Sequence, residues 1–182
     1  MTRELTTLEY ALLGLIHREP QSGYDLRKVF ETSPLGHYSS SPGAIYPALK
    51  RLRGRGLILA KVDRTRPLRP REVFQLKPAG LRALTEWLTA APVGESLVAD
   101  MGASLLRFAF MGAVATPTQS RTFLSVLADA AQKYADDLAD LAATMTEPDA
   151  LHGRLALESG VEEFRSRARW ARAALSHFPS GA

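Results

Sequence analysis

The stretch Ser41-Pro42-Gly43-Ala44-Ile45-Tyr46-Pro47-Ala48-Leu49-Lys50-Arg51-Leu52-Arg53-Gly54 decides how the first half of this chain folds. Serine followed by proline predicts a helix start, with Ser41 as N-cap and Pro42 at the first helical position, where a missing N–H costs nothing. Ile45, Ala48, Leu49 and Leu52 then fall on one face at the helical period, and Gly43, Pro47 and Lys50 on the opposite one. Tyr46, Arg51 and Arg53 flank the outward face. Pro47 removes one backbone hydrogen bond near the first turn, which predicts a slight bend and not a break. Gly54 and Gly56 end the helix.

Two shorter helices precede it. Thr6 with Glu9 three residues on is a capping-box pattern, and Leu8, Ala11, Leu12, Leu15 and Ile16 follow at helical spacing until Pro20. Ser22 with Asp25 repeats the pattern, and Leu26, Val29 and Phe30 supply an apolar face that stops at Ser33-Pro34-Leu35-Gly36. After the third helix, Leu57 to Val62 and Glu72 to Leu76 read as two strands. They are joined by Asp63-Arg64-Thr65-Arg66-Pro67-Leu68-Arg69-Pro70-Arg71, whose prolines block ladder formation and hold the connector extended. A fourth helix carrying Leu81, Leu84, Trp87 and Leu88 follows Pro78.

Helix, helix, outward basic helix and two strands with a basic connector is the order of a winged helix-turn-helix with a two-stranded wing. The residue types suit a polyanion. A helix N-terminus offers free amides, small residues permit close approach, and basic side chains meet phosphates and base edges. Ser39, Ser40, Ser41 and Gly43 suit approach, and Tyr46, Lys50 and Arg53 suit contact. Arg64, Arg66, Arg69 and Arg71 in the extended connector suit phosphates or a narrow minor groove. Tyr24 reads either as a phosphate contact through its hydroxyl or as packing within the helix-turn-helix.

Charge divides the chain in the same way. The net charge of +4 hides 15 Lys and Arg against 8 Asp and Glu in residues 1–90, and 8 against 11 in residues 91–182. The first half is built to meet a polyanion, the second for another task. Beyond Pro92 alanine rises and basic residues thin, so the expected domains are a DNA-binding winged helix over 1–90 and an α-helical dimerisation region over 91–182. There, Leu97 to Ala113 predicts one helix. Thr116-Pro117-Thr118-Gln119 starts another, with Phe123, Leu127, Ala130, Tyr134, Leu138, Leu141 and Met145 at spacings of three and four. A last helix from about Asp149 to Phe178 uses Leu151, Leu155, Phe164, Ala168, Ala171 and Leu175. Two long amphipathic helices beside a small domain need a partner for their apolar stripes.

Other functions find little support. Zero cysteines exclude disulfides, zinc-thiolate sites and a cysteine nucleophile. His17, His37, His152 and His177 lack metal-ligand spacing, and no nucleophile-elbow or phosphate-loop glycine pattern occurs, so neither an enzyme nor a cofactor is expected. Asp136, Asp137 and Asp140 read as a solvated helix face, and Glu158, Glu162 and Glu163 as partners for Arg165 or Arg167. The apolar run Met101 to Ala115 is too short to span a bilayer and carries Arg107, and no secretory signal is visible, so a cytoplasmic protein without a membrane partner is expected. A winged helix used only for protein contact is the alternative, against which the outward basic residues count.

At these residues the sequence resembles the PadR family of regulators. The resemblance is carried by Leu12-Leu13-Gly14-Leu15-Ile16, Ser22-Gly23-Tyr24-Asp25-Leu26, Gly43 to Leu52, Gly56-Leu57-Ile58, Arg69 to Phe74, and Ala79-Gly80 with Trp87-Leu88. Phe74 stands where tyrosine is common in that family, Glu72 where a basic residue is common, and Lys77-Pro78 where a threonine usually starts the fourth helix. The helical second half is similar in pattern to the longer subfamily related to virulence activators. The resemblance implies a mainly α fold and a transcriptional regulator, expected to be a repressor. It implies a homodimer on a palindromic double-stranded DNA operator, with a small aromatic effector near the dimer core. Phe108, Phe110, Phe164 and Trp170 are the aromatic supply for such a site, expected where the C-terminal helices meet the winged domain. Trp87 and Trp170 read first as core residues.

Overall fold

The computed structural model describes residues 3–33, 35, 42–63, 71–147 and 150–179. Ser39, Ser40, Ser41, Arg64, Arg66 and Arg69 lie outside the described residues. The chain divides into two compact units, Met1–Leu88 and Thr89–Ala182.

In the first unit, α1 (Thr7–Arg18) starts at the Thr6–Glu9 capping box and buries Leu8, Glu9 and every residue from Ala11 to Ile16. It is the central helix of this core, enclosed on more than the single face that its periodicity requires. Glu19 is extended ahead of Pro20, which disfavours helix in the preceding residue. Strand β1 (Gln21–Ser22) follows, then α2 (Gly23–Thr32), capped by Ser22 and Asp25 and burying Leu26 and Phe30. Pro42–Ala44 form a 3-10 turn, and α3 (Ile45–Gly54) begins only at Ile45, with no side-chain cap from Ala44. This corrects the expected α-helical start at Pro42. It also removes the objection to Pro47, which is the third residue of α3, among the four whose N–H groups have no α-helical acceptor.

Gly56, at φ 70°, turns the chain into β2 (Ile58–Asp63), which pairs antiparallel with β3 (Arg71–Leu76). The expected wing has two strands; the sheet has three, in the order β1-β3-β2, because Gln21 and Ser22 pair with Phe74 and Val73. Then α4 (Pro78–Thr89) buries Leu84 and Leu88. Its first turn lies so close to Leu57, the residue before β2, that a Cβ on Gly80 would lie 2.1 Å from the Leu57 carbonyl oxygen. Trp87 stacks on Tyr10 of α1, centroids 4.4 Å apart.

In the second unit the single helix expected over 97–113 is two, α5 (Gly94–Ala99) and α6 (Met101–Met111). Asp100 breaks them and caps α6 by accepting from the Ala103 N–H at 2.8 Å. Thr116 and Gln119 form a capping box with Pro117 in the first turn, starting α7 (Pro117–Thr144). α8 is Leu151–Ala174, followed by a 3-10 turn at Leu175–His177. α7 and α8 run antiparallel, since Arg121 bonds the carbonyls of Leu175 and Phe178 while a Cβ on Gly153 would reach Met145. Their contact is built from small residues, with Ala128, Ala131, Ala135, Ala168 and Ala171 all buried. The predicted stripes are only partly covered within the unit: Tyr134, Leu141, Leu151 and Leu155 are exposed. Trp170, expected in the core, is 40% exposed.

Candidate nucleic-acid interface

The face of α3 that the sequence points outward is outward. Ile45, Ala48, Leu49 and Leu52 are buried, whereas Gly43, Tyr46, Lys50 and Arg53 are exposed. Tyr46 leans across to α2, where a Cβ on Gly23 would sit 2.8 Å from its Cε1, so glycine at that position makes room for the ring. Tyr24, in the first turn of α2, is 66% exposed and Tyr46 50%. For Tyr24 the packing alternative therefore loses ground, because a ring that solvated contributes little to a core. Two phenol hydroxyls and the start of α2 thus share a surface with the basic residues of α3.

The cations of this surface differ in what already holds them. Lys50 makes no ion pair among the described residues. Arg53 reaches Glu72 of β3 at 3.1 Å, an exposed pair that links α3 to the wing. Arg51, which the periodicity places at the edge of the outward face, turns back to Glu9 at 2.7 Å. Arg71, grouped by sequence with the connector arginines, is the first residue of β3 and bonds Asp25 at 2.8 Å.

Arg27 is a residue that sequence reasoning overlooked. It lies on α2, bonded to Glu31 at 2.7 Å. That bond raises its pKa, with smaller contributions from the nearby Tyr46 and Tyr24. The signal was available, since Tyr24 and Arg27 are three residues apart on one helix and share a face.

The aromatic residues of the second unit are brought together in part. Phe108 is a hub, with its centroid 6.0 Å from Phe123, 5.8 Å from Trp170 and 6.2 Å from Phe178. The Arg107 guanidinium lies 5.2 Å over the Phe123 ring and bonds the Ala90 carbonyl, and burial lowers its pKa. Phe164 instead meets Tyr134 edge-on at 4.6 Å, and Phe110 is buried at 7% exposure. Of the four residues expected to line one effector site, only Phe108 and Trp170 touch by ring contact. Among the described residues no group of three or more His, Asp or Glu is placed to hold a metal ion, and no helix is long and apolar enough to cross a membrane.

Residues 12–86 match the Transcriptional regulator PadR-like family. The chain is 30% identical over 84 residues to the Negative transcriptional regulator PadR of Bacillus subtilis (strain 168), covering 46% of each protein. It is 39% identical over 56 residues to the Transcriptional regulator YqjI of Escherichia coli (strain K12), covering 31% of this chain and 27% of that one. The chain spans less than half the length of the curated relatives it matches. Among solved structures, Bacillus subtilis PadR in complex with operator DNA aligns over 97% of this chain and 100% of that one, at 20% identity and a TM-score of 0.44. The matched segment contains α2, α3 and both wing strands, the elements that carry the candidate interface, and over that segment the chain is similar to the PadR-like family of transcriptional regulators.

Proposed function

We propose that this chain regulates transcription by binding double-stranded DNA through α3 and the wing. The observation that carries the reading is the division of α3 into a buried apolar face and an exposed face bearing Tyr46, Lys50 and Arg53, with Tyr24 beside it. In this reading Lys50 and Arg53 meet base edges or phosphates in the major groove, and Tyr24 and Tyr46 donate to phosphate through their hydroxyls. Gly43 and Ser39, Ser40 and Ser41 allow close approach of the backbone, and Arg64, Arg66 and Arg69 track phosphates beside the wing. The name of the Bacillus relative, a negative regulator, supports repression. The exposed apolar residues of α7 and α8 support a homodimer, and a two-fold dimer calls for a palindromic operator.

The decisive experiment isolates genomic duplex fragments bound by the protein and follows affinity against salt. A linear fall of log affinity with log salt, together with preference for particular fragments, supports the reading. Absence of duplex binding at low salt overturns it and leaves a winged helix for protein contact. Release by an effector belongs to the same proposal. The half-exposed edge of Trp170 against Phe108 offers a surface for a planar hydrophobic compound. Tryptophan quenching by an aromatic panel that also weakens operator affinity, and that is lost in Trp170→Phe, supports it; no effect on either overturns this part alone.

A further inference from the structure

We infer that Arg71 is a positioning residue for the wing, tied to α2 through Asp25, and not one of the phosphate contacts. The inference rests on the DNA-binding reading above and changes the role of one residue within it. Asp25 is the third residue of α2 and closes the capping box with Ser22. Its Oδ2 accepts from the Ser22 N–H at 3.2 Å, the Ser22 hydroxyl at 2.8 Å and Arg71 Nη1 at 2.8 Å. One carboxylate oxygen therefore fixes the start of α2 and the start of β3 together.

The backbone repeats the attachment at the next step along the chain. Gln21 and Ser22 pair with Phe74 and Val73, so β3 is held to the segment before α2 by its ladder and to α2 itself by Arg71. Two fixings on either side of Ser22 resist rotation of β3 about its own axis, which one would not. Arg71 is also where the basic connector re-enters the sheet, opposite Asp63 of β2.

The surroundings disfavour phosphate at Arg71. The pair borders a cleft of about 500 Å³ whose lining includes Glu19 and Asp25 with Lys28. Asp25 already neutralises the Arg71 guanidinium at 2.8 Å, whereas Lys50, on the exposed face of α3, carries no such counter-charge among the described residues. Side-chain exposure of 37% for Arg71 and 35% for Asp25 makes the pair stronger than a fully solvated one.

The test is a double-mutant cycle in the full-length protein with Arg71→Gln and Asp25→Asn, the second keeping an oxygen for the Ser22 cap. Each variant's affinity for a bound duplex is measured across a salt series, below its melting temperature. Positioning predicts that Arg71→Gln weakens binding about three- to fivefold, the size of a partly screened ion pair. It further predicts an unchanged salt slope, no additional loss in the Asp25→Asn background, and substantial rescue by Arg71→Lys. A slope reduced by about 0.9 would make Arg71 a phosphate contact and overturn the inference, as would additive losses or unchanged affinity. Amide hydrogen exchange gives a readout without DNA, since loosening of the attachment speeds exchange at Val73 and Phe74 in Arg71→Gln. If the unaltered protein binds no duplex, the DNA reading fails while exchange still decides whether Arg71 holds the wing; unchanged exchange overturns the inference.

Discussion

Arg51 of α3 donates its Nε to Oε1 of Glu9 on α1 at 2.7 Å, while Oε2 of the same carboxylate accepts the Thr6 N–H at 2.9 Å. One glutamate thus caps the central helix α1 and holds α3 against it. Burial works to raise the pKa of Glu9, but the Thr6 N–H, the Arg51 guanidinium and the charge of Arg3 outweigh it and hold the carboxyl below the ordinary glutamate value. Because the folded value is depressed, the stabilisation is complete above the unfolded glutamate value and lost as pH falls through the folded one. Glu9→Gln is expected to lower stability by about 1.5–3 kcal/mol at neutral pH, the range for hydrogen bonds to a charged group. Urea midpoints measured from neutral pH downward should converge for the two proteins below pH 4.5. A gap independent of pH would show that the carboxylate charge is not what matters.

Two glycines make close approaches with opposite consequences. At Gly80 a Cβ meets the Leu57 carbonyl at 2.1 Å, and that carbonyl is anchored by the Lys77 N–H at 3.0 Å. The backbone must move, so Gly80→Ala is expected to cost about 1–3 kcal/mol in a thermal or urea melt. At Gly23 the obstacle is the far end of the Tyr46 side chain, which can swing away. Gly23→Ala should therefore change stability little while weakening operator binding as much as Tyr46→Ala does, and the two losses should not add. Full additivity would show that the ring position is irrelevant to DNA.

Much of the architecture was legible because three helix starts are written as reciprocal pairs: Thr6 with Glu9, Ser22 with Asp25, and Thr116 with Gln119 all form capping boxes. The apolar face of α3 was legible for the same reason that it folds, four core residues at the helical period. Strand β1 was not. Gln21 and Ser22 have no alternation to read, and they are a strand only because β3 comes back beside them. The break at Asp100 was hidden because Leu97, Ser104, Leu106 and Phe110 are buried on both sides of it, so periodicity runs through without marking the interruption. At the candidate site, composition revealed which residues are basic, but not which already have partners. Arg51, Arg53 and Arg71 look alike in sequence, and only folding brings Glu9, Glu72 and Asp25 to them.

Lys50 separates base reading from phosphate contact. It is exposed at the middle of the outward face, without an ion pair among the described residues to be broken on binding. Lys50→Ala is expected to cost about 1–3 kcal/mol on the preferred duplex and to relax preference at particular base pairs, as measured on a set of single-base operator variants. A loss uniform over all variants would assign Lys50 to phosphate.

The connector arginines carry the complementary expectation. Changing Arg64 and Arg66, or Arg66 and Arg69, to glutamine should weaken binding across sequences alike. The slope of log affinity against log salt should flatten by about 0.9 for each phosphate contact removed. Arg53→Gln makes a useful contrast, because its loss also frees Glu72 on the proposed interface. Added salt screens the repulsion left behind, so the affinity of that variant should fall less steeply with salt than the number of lost contacts predicts. An unchanged slope in the connector variants would remove these residues from the interface.

The final expectation concerns assembly. Along α7 and α8 the buried residues are mostly alanine, while Tyr134, Leu141, Leu151 and Leu155 remain exposed, the last at 50%. Helices of 28 and 24 residues that leave large apolar side chains in water are stabilised further when a second copy covers them. A two-fold dimer would also present two recognition helices to successive major grooves, about 34–36 Å apart. Binding of the first half-site then raises the effective concentration of the second, so two modest affinities combine. Light scattering on the full chain should give the mass of a dimer at micromolar concentration. Leu151→Glu with Leu155→Glu should shift it toward monomer and weaken binding to a full operator while leaving half-site affinity and its salt slope unchanged. A native chain that is monomeric at that concentration, yet binds the full operator as tightly as expected for two coupled half-sites, would refute the dimer.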